Sequence, residues 1–184
     1  MDSILTDKVQ LAWNMASAAH NGQFYTNNDG LELPYLNHIG AVVNEVYAVL
    51  MGNPEVYNAE LALLCAILHD TVEDTALTLT DIETAFGTPV ADGVAALTKD
   101  STIADKQEKM AHSITRILGQ PREVAMVKMA DRIVNLQPPP KHWPIEKVQS
   151  YRGEAAFLYE ALRNLCPTLA ERLYKKIENY SLYC

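Results

Sequence analysis

Leu61-Ala62-Leu63-Leu64-Cys65-Ala66-Ile67-Leu68-His69-Asp70-Thr71-Val72-Glu73-Asp74-Thr75 is the stretch on which the fold of this chain turns. An unbroken apolar run passes directly into an imidazole, three carboxylates and two hydroxyls. The run is far short of the roughly 20 residues that cross a bilayer. A segment apolar on every side belongs instead at the centre of packed helices, so a helix is expected over about Pro54 to Asp70. Acids leaving such a helix together repel one another and lose hydration unless a cation or solvent compensates. The His69-Asp70 pair offers one nitrogen and one oxygen, a donor set suited to manganese, iron or zinc.

Outward from this stretch the period stays helical. Ile4 to His20 sets Ile4, Val9, Leu11, Ala12, Met15, Ala16 and Ala19 on one broad face. Gly22 and Asn27-Asn28-Asp29-Gly30 break that pattern. A second helix is expected from about His38 to Met51, stopped by Gly52-Asn53-Pro54. Thr80 is expected to cap a short helix over Asp81 to Phe86, with Glu83 completing a capping box and Gly87 ending it. Further helices are expected over Pro89 to Leu97, Asp105 to Leu118, a segment from Pro121 to Leu136, Ile145 to Asn164 and Pro167 to Tyr180. Pro138-Pro139-Pro140 forces a corner between two of them. No strand alternation, internal repeat or low-complexity linker is evident. The fold class is therefore all-α, a bundle of about eight to ten helices of ordinary length. Residues 1–184 are read as one domain, because the last two helices carry apolar faces that need a partner.

Bulk properties narrow the function. The chain has 184 residues, enough for one domain with a real core. Its net charge of −8 disfavours a nucleic-acid partner. An anionic substrate would then need a local positive source such as a bound metal ion. MDSILTDKVQ lacks a basic segment followed by an apolar one, so no secretory signal is expected. No membrane association is expected either, and the cytoplasm is the simplest location. Cys65, Cys166 and Cys184 are too few and too scattered for a disulfide framework or a thiolate metal knot. Cys65 reads as a core residue.

Two more metal-ligand candidates sit on other helices. His38 follows Pro34-Tyr35 at a helix start. Asp131 lies inside the apolar segment Val124 to Leu136, where a lone charge is costly. From the residues alone Asp131 is either a ligand or the partner of an arginine such as Arg132 or Arg116. Asn135 lies one turn on and shares its face. Two histidines and two aspartates would leave positions open for water and substrate, as a catalytic metal site requires. His20 reads as a local hydrogen-bonding residue.

The order His38, His69-Asp70 and Asp131 resembles the HD superfamily of metal-dependent phosphohydrolases. More narrowly, the chain is similar to the hydrolase domain of the RelA/SpoT alarmone enzymes and to the small alarmone hydrolases. The resemblance spans about residues 6–160. It is carried by Ala18 to Gln23, Pro34 to His38, Leu63 to Thr75, Phe86-Gly87, Leu97-Thr98-Lys99 and Val127 to Leu136. It implies His38, His69, Asp70 and Asp131 as ligands of a divalent ion, usually manganese in this family, with iron, zinc, magnesium or nickel as alternatives. It implies Glu73 and Asp74 as the groups that orient or deprotonate water. Asn135, Lys99 and Tyr151 would contact substrate, Tyr151 beside the nucleotide. The implied reaction is hydrolysis of a nucleotide phosphoester or pyrophosphate ester, first of all a guanosine 3′-pyrophosphate of the (p)ppGpp type. Another nucleotide, a phosphorylated dinucleotide cofactor, or a non-catalytic nucleotide-sensing role are the alternatives. Family members carry Arg and Lys after the glutamine, whereas this chain has Phe24-Tyr25-Thr26 there. The sequence leaves the oligomeric state open.

Overall fold

The computed structural model describes residues 3–27 and 30–184. Asn28 and Asp29 of the expected break, and the side chain of Ile4, lie outside the described residues. Helix α1 (Ser3–Ala19) leads into a hairpin of β1 (Phe24–Thr26) and β2 (Glu32–Pro34). Then come α2 (Leu36–Gly52), α3 (Ala59–Leu68), the single turn α4 (Thr71–Asp74), α5 (Leu79–Phe86) and α6 (Thr88–Leu97). The chain continues through α7 (Lys106–Leu118), α8 (Arg122–Asn135), α9 (Ile145–Leu162) and α10 (Pro167–Tyr180), closing in a 3-10 turn. The all-α expectation is borne out, with one small addition.

That addition is the hairpin, whose strands pair antiparallel with Tyr25 opposite Leu33. Three residues per strand are too few to display an alternating pattern, so the sequence offers no signal for it. Gly22 turns into it with a positive φ of 79°, a conformation that glycine adopts without strain.

Helix α3 is the centre. Every side chain from Leu61 to Leu68 is buried, and α1, α2, α6 and α8 surround it. Burying a Leu or Ile side chain contributes roughly 1.5–3 kcal/mol, so this one helix anchors much of the core. It is shorter than the expected span of about Pro54 to Asp70. Asn58 caps it, its side chain accepting from Leu61 N at 3.0 Å, and this capping bond fixes the start at Ala59, five residues after Pro54. Buried Glu123, in the first turn of α8, accepts from Asn58 N at 2.9 Å and ties the beginnings of α3 and α8 together. The end lies at Leu68, and His69-Asp70 form a turn before α4.

The short fifth helix is capped by Thr78 rather than Thr80. Thr78 and Asp81 form the reciprocal pair of a capping box. Thr80 lies inside the helix, its carbonyl bonded by Thr84. Helix α10 packs on α8 and α9, and a two-pronged Arg172–Glu45 pair at 2.5 Å fastens it to α2. Among the described residues no helix is long and apolar enough to cross a membrane.

Helices α3, α6 and α8 come close together at Gly93. A methyl group there would lie 2.6 Å from Cys65 Sγ and 3.1 Å from Val124 Cγ2. Gly93→Ala is expected to destabilise the chain by about 1–3 kcal/mol through overpacking. Gly153→Ala, in a helix with nothing within 4 Å, is expected to stabilise it by roughly 0.5–1 kcal/mol. Thermal denaturation of the two variants beside the parent checks both signs.

Candidate metal centre and active site

Three helices deliver the polar cluster. Tyr35, at the N-terminal edge of α2, accepts from His38 N at 2.9 Å and so sets the first turn that carries His38. His69 and Asp70 occupy the turn after α3. Asp131 stands near the end of α8, in a helix otherwise buried along most of its length. Ligand atoms of His38, His69 and Asp131 lie within 4.8 Å of one another. Asp70 Oδ2 is 3.0 Å from His69 Nε2 and 3.5 Å from His38 Nε2, and Asp131 Oδ1 is 3.5 Å from His38 Nε2. The four residues read from the sequence as candidate ligands therefore converge.

Hydrogen bonding dictates which His69 nitrogen faces the cluster. Nδ1 lies 2.9 Å from the Ala66 carbonyl, which only accepts, so Nδ1 carries a proton. Nε2 is buried without a hydrogen-bond partner and looks onto Asp70 Oδ2. Burial alone would lower the His69 pKa, but the Asp70 carboxylate beside it outweighs this and raises it. Burial pushes Asp70 the other way, yet the charge of the His69 ring beside it, the nearby His38 ring and the Tyr35 hydroxyl bond hold it well below the usual carboxylate range. Asp131 is also lowered: burial opposes ionisation, and the Lys128 ammonium at 3.3 Å prevails.

The remaining candidates surround this centre. Glu73 accepts from Lys99 twice, from its backbone N–H at 3.0 Å and from Nζ at 2.7 Å. The structure thus joins a residue expected in water activation to one expected at the substrate. Burial lowers the Lys99 pKa, but the Glu73 bond more than restores it, giving a net rise. Asp74 moves upward, because of burial and of the neighbouring Asp70 and Glu73 carboxylates. Asn135 donates to Asp131 Oδ1 at 2.5 Å, as their shared face requires. Tyr151 is half-buried, packed edge-on to Trp143 with Arg132 4.8 Å from its ring centre. Arg132 turns to Glu154 rather than to Asp131, and Asp131 is met by Lys128 instead.

Three residues given no role from the sequence also meet the site. The Tyr35 hydroxyl donates to Asp70 Oδ2 at 2.6 Å, and burial together with Asp70 pushes its pKa far up. Lys128, a buried lysine in an apolar helix, is the counter-charge of Asp131. Its signal was present in the sequence as a second charge three residues before the first. Gln23 donates from Nε2 to the Asp74 carbonyl at 2.8 Å.

Residues 12–168 match the HD domain family. The chain belongs to that family. Among curated proteins it is 31% identical over 165 residues to the zebrafish guanosine-3′,5′-bis(diphosphate) 3′-pyrophosphohydrolase MESH1, covering 87% of each chain. Human MESH1 is likewise 31% identical over 167 residues, with 88% of each chain covered. A solved structure of a metazoan orthologue of SpoT that hydrolyses ppGpp superposes with a TM-score of 0.78 at 26% identity. That match covers 95% of this chain and 96% of the other. The resemblance read from the sequence is borne out.

An HD domain implies a divalent metal ion, and the residues present fit one. The orphaned His69 Nε2, the carboxylate oxygen 3.0 Å away and two further donors make a mixed nitrogen and oxygen set. A divalent transition metal at a hundredfold excess over its Kd is expected to stabilise the fold by about 2.7 kcal/mol. For a chain of this size that raises Tm by roughly 5–10 °C. Asp131→Asn and His38→Ala are expected to abolish the shift, read by thermal denaturation with and without metal.

Proposed function

We propose that this chain is a metal-dependent phosphohydrolase that releases pyrophosphate from the 3′ position of a (p)ppGpp-type guanosine nucleotide. The observation that carries the reading is the convergence of two imidazoles and two carboxylates beside the Glu73-Asp74 pair. The named activity of MESH1 relatives that align over nearly the whole chain supports the choice of substrate. Manganese is the proposed ion and His38, His69, Asp70 and Asp131 its ligands. Residues 1–184 would act as one unit in the cytoplasm.

A divalent ion in this site supplies Lewis acidity toward water and neutralises phosphate charge. The protein supplies the rest. Water adds its oxygen to phosphorus, the bond from phosphorus to the 3′ oxygen breaks, and a proton ends on that oxygen. Asp74 accepts the proton from water, because burial and the neighbouring Asp70 and Glu73 carboxylates raise its affinity for a proton above that of an ordinary aspartate. Glu73 orients the water once Lys99 turns from it to a substrate phosphate. Tyr35 and Lys128 keep Asp70 and Asp131 pointing inward. Asn135 and Tyr151 border the space left for the nucleotide.

A second substrate class has one observation in its favour. No Lys or Arg occurs between Asn21 and Asn37, so the hairpin adds no positive charge beside the site. A nucleotide or phosphorylated dinucleotide with fewer phosphates would suit such a wall better. Phosphate and pyrophosphate release from a nucleotide panel, with and without manganese, separates the readings. The expected outcome is manganese-dependent pyrophosphate release from ppGpp, reduced at least about a thousandfold by Asp70→Ala. Tight nucleotide binding without turnover of any panel member would instead identify a sensor.

A further inference from the structure

The end of α1 and the neck of the hairpin hold side chains to which no step above assigns chemistry. His20 is buried, 3% exposed, and its ring stacks on that of Tyr35 with centroids 4.9 Å apart. His20 Nδ1 lies 2.7 Å from Gln23 Oε1, and Gln23 Nε2 donates to the Asp74 carbonyl at 2.8 Å. The Gln23 backbone closes the neck, its carbonyl accepting from Tyr35 N at 3.0 Å and its N–H donating to the His20 carbonyl at 3.0 Å. Tyr35 then reaches Asp70 Oδ2 through its hydroxyl.

The donors and acceptors in this chain have only one consistent direction. A peptide carbonyl accepts and never donates, so the amide nitrogen of Gln23 must face Asp74. The amide oxygen must then face His20, which requires the proton on Nδ1. His20 Nε2 is left as a buried nitrogen with no hydrogen-bond partner. A proton on that nitrogen would be an N–H buried without an acceptor, which is unfavourable.

We propose that His20 is a positioning residue for the hydrolysis: through Gln23 and Tyr35 it holds both ends of the Asp70–Asp74 segment in register. One imidazole, kept in its Nδ1–H form, fixes the Asp74 peptide on one side. On the other it supports the phenol that bonds Asp70. The hairpin serves as the frame for this connection, whatever its outward side chains contribute to substrate choice. The role rests on the hydrolase reading; the proton's place on the ring does not.

The test is a ring ¹⁵N–¹H correlation spectrum of the full chain, metal-free and zinc-loaded, at neutral pH. His20 is expected to carry its proton on Nδ1 with Nε2 bare in both states. Gln23→Leu, at a half-buried position, is expected to release the ring toward Nε2–H. It should also lower kcat about tenfold, as loss of a supporting hydrogen bond commonly does, with KM and metal affinity little changed. A role in stability alone leaves kcat undiminished, so kcat and not the ring proton separates the two. Normal turnover by a wild type whose His20 is protonated on Nε2 overturns the proposal, as does a Gln23→Leu variant with undiminished kcat. A wild type that turns over no nucleotide overturns the hydrolase reading and this role together.

Discussion

Two electron-rich atoms, His69 Nε2 and Asp70 Oδ2, stand 3.0 Å apart at the end of a helix sealed in hydrocarbon. The ring cannot turn its other nitrogen inward, because Nδ1 is committed to the Ala66 carbonyl. Positive charge must therefore come from outside the pair, as a proton or as a metal ion. The raised pKa of His69 and the lowered one of Asp70 express the same demand. A site that needs a cation so close to the core is stable only if the surrounding framework cannot relax to separate the pair.

That framework is the reason for the helical shell around α3. Helices α2 and α8 bring His38 and Asp131 to the end of α3, and three of the carboxylates there are gripped by a second residue. Tyr35 holds Asp70, Lys128 and Asn135 hold Asp131, and Lys99 holds Glu73. The grip matters because a carboxylate in a low-dielectric setting interacts strongly with any charge that approaches it, and a small rotation changes which charge that is.

Much of this was legible in the sequence, for identifiable reasons. Helix ends at Gly87, Gly119 and Pro167 announce themselves through residues with few backbone options. The span of α10, from Pro167 to Tyr180, follows directly. The four cluster residues could be named because a charge inside an apolar helix, as at Asp131, asks for an explanation. The start of α3 was obscured because Pro54 and Asn58 both suit a helix entrance, and only the tertiary bond from Glu123 favours the second. The cap of α5 was misplaced for a similar reason, since Thr78 and Thr80 each precede an acid three residues on. The hairpin is too short to show a pattern, and the parts played by Tyr35 and Gln23 depend on partners 35 and 51 positions away, which no local pattern encodes.

The Glu123–Asn58 bond has a mechanical corollary. It pins two rods at their near ends, 65 positions apart along the chain, while their far ends carry His69-Asp70 and Asp131. The opening between those tips behaves like that of a pair of dividers hinged at one point, with Gly93 allowing the neighbouring α6 to lie close against both legs. The spacing of the tips thus depends in part on a contact made at the opposite end of both rods.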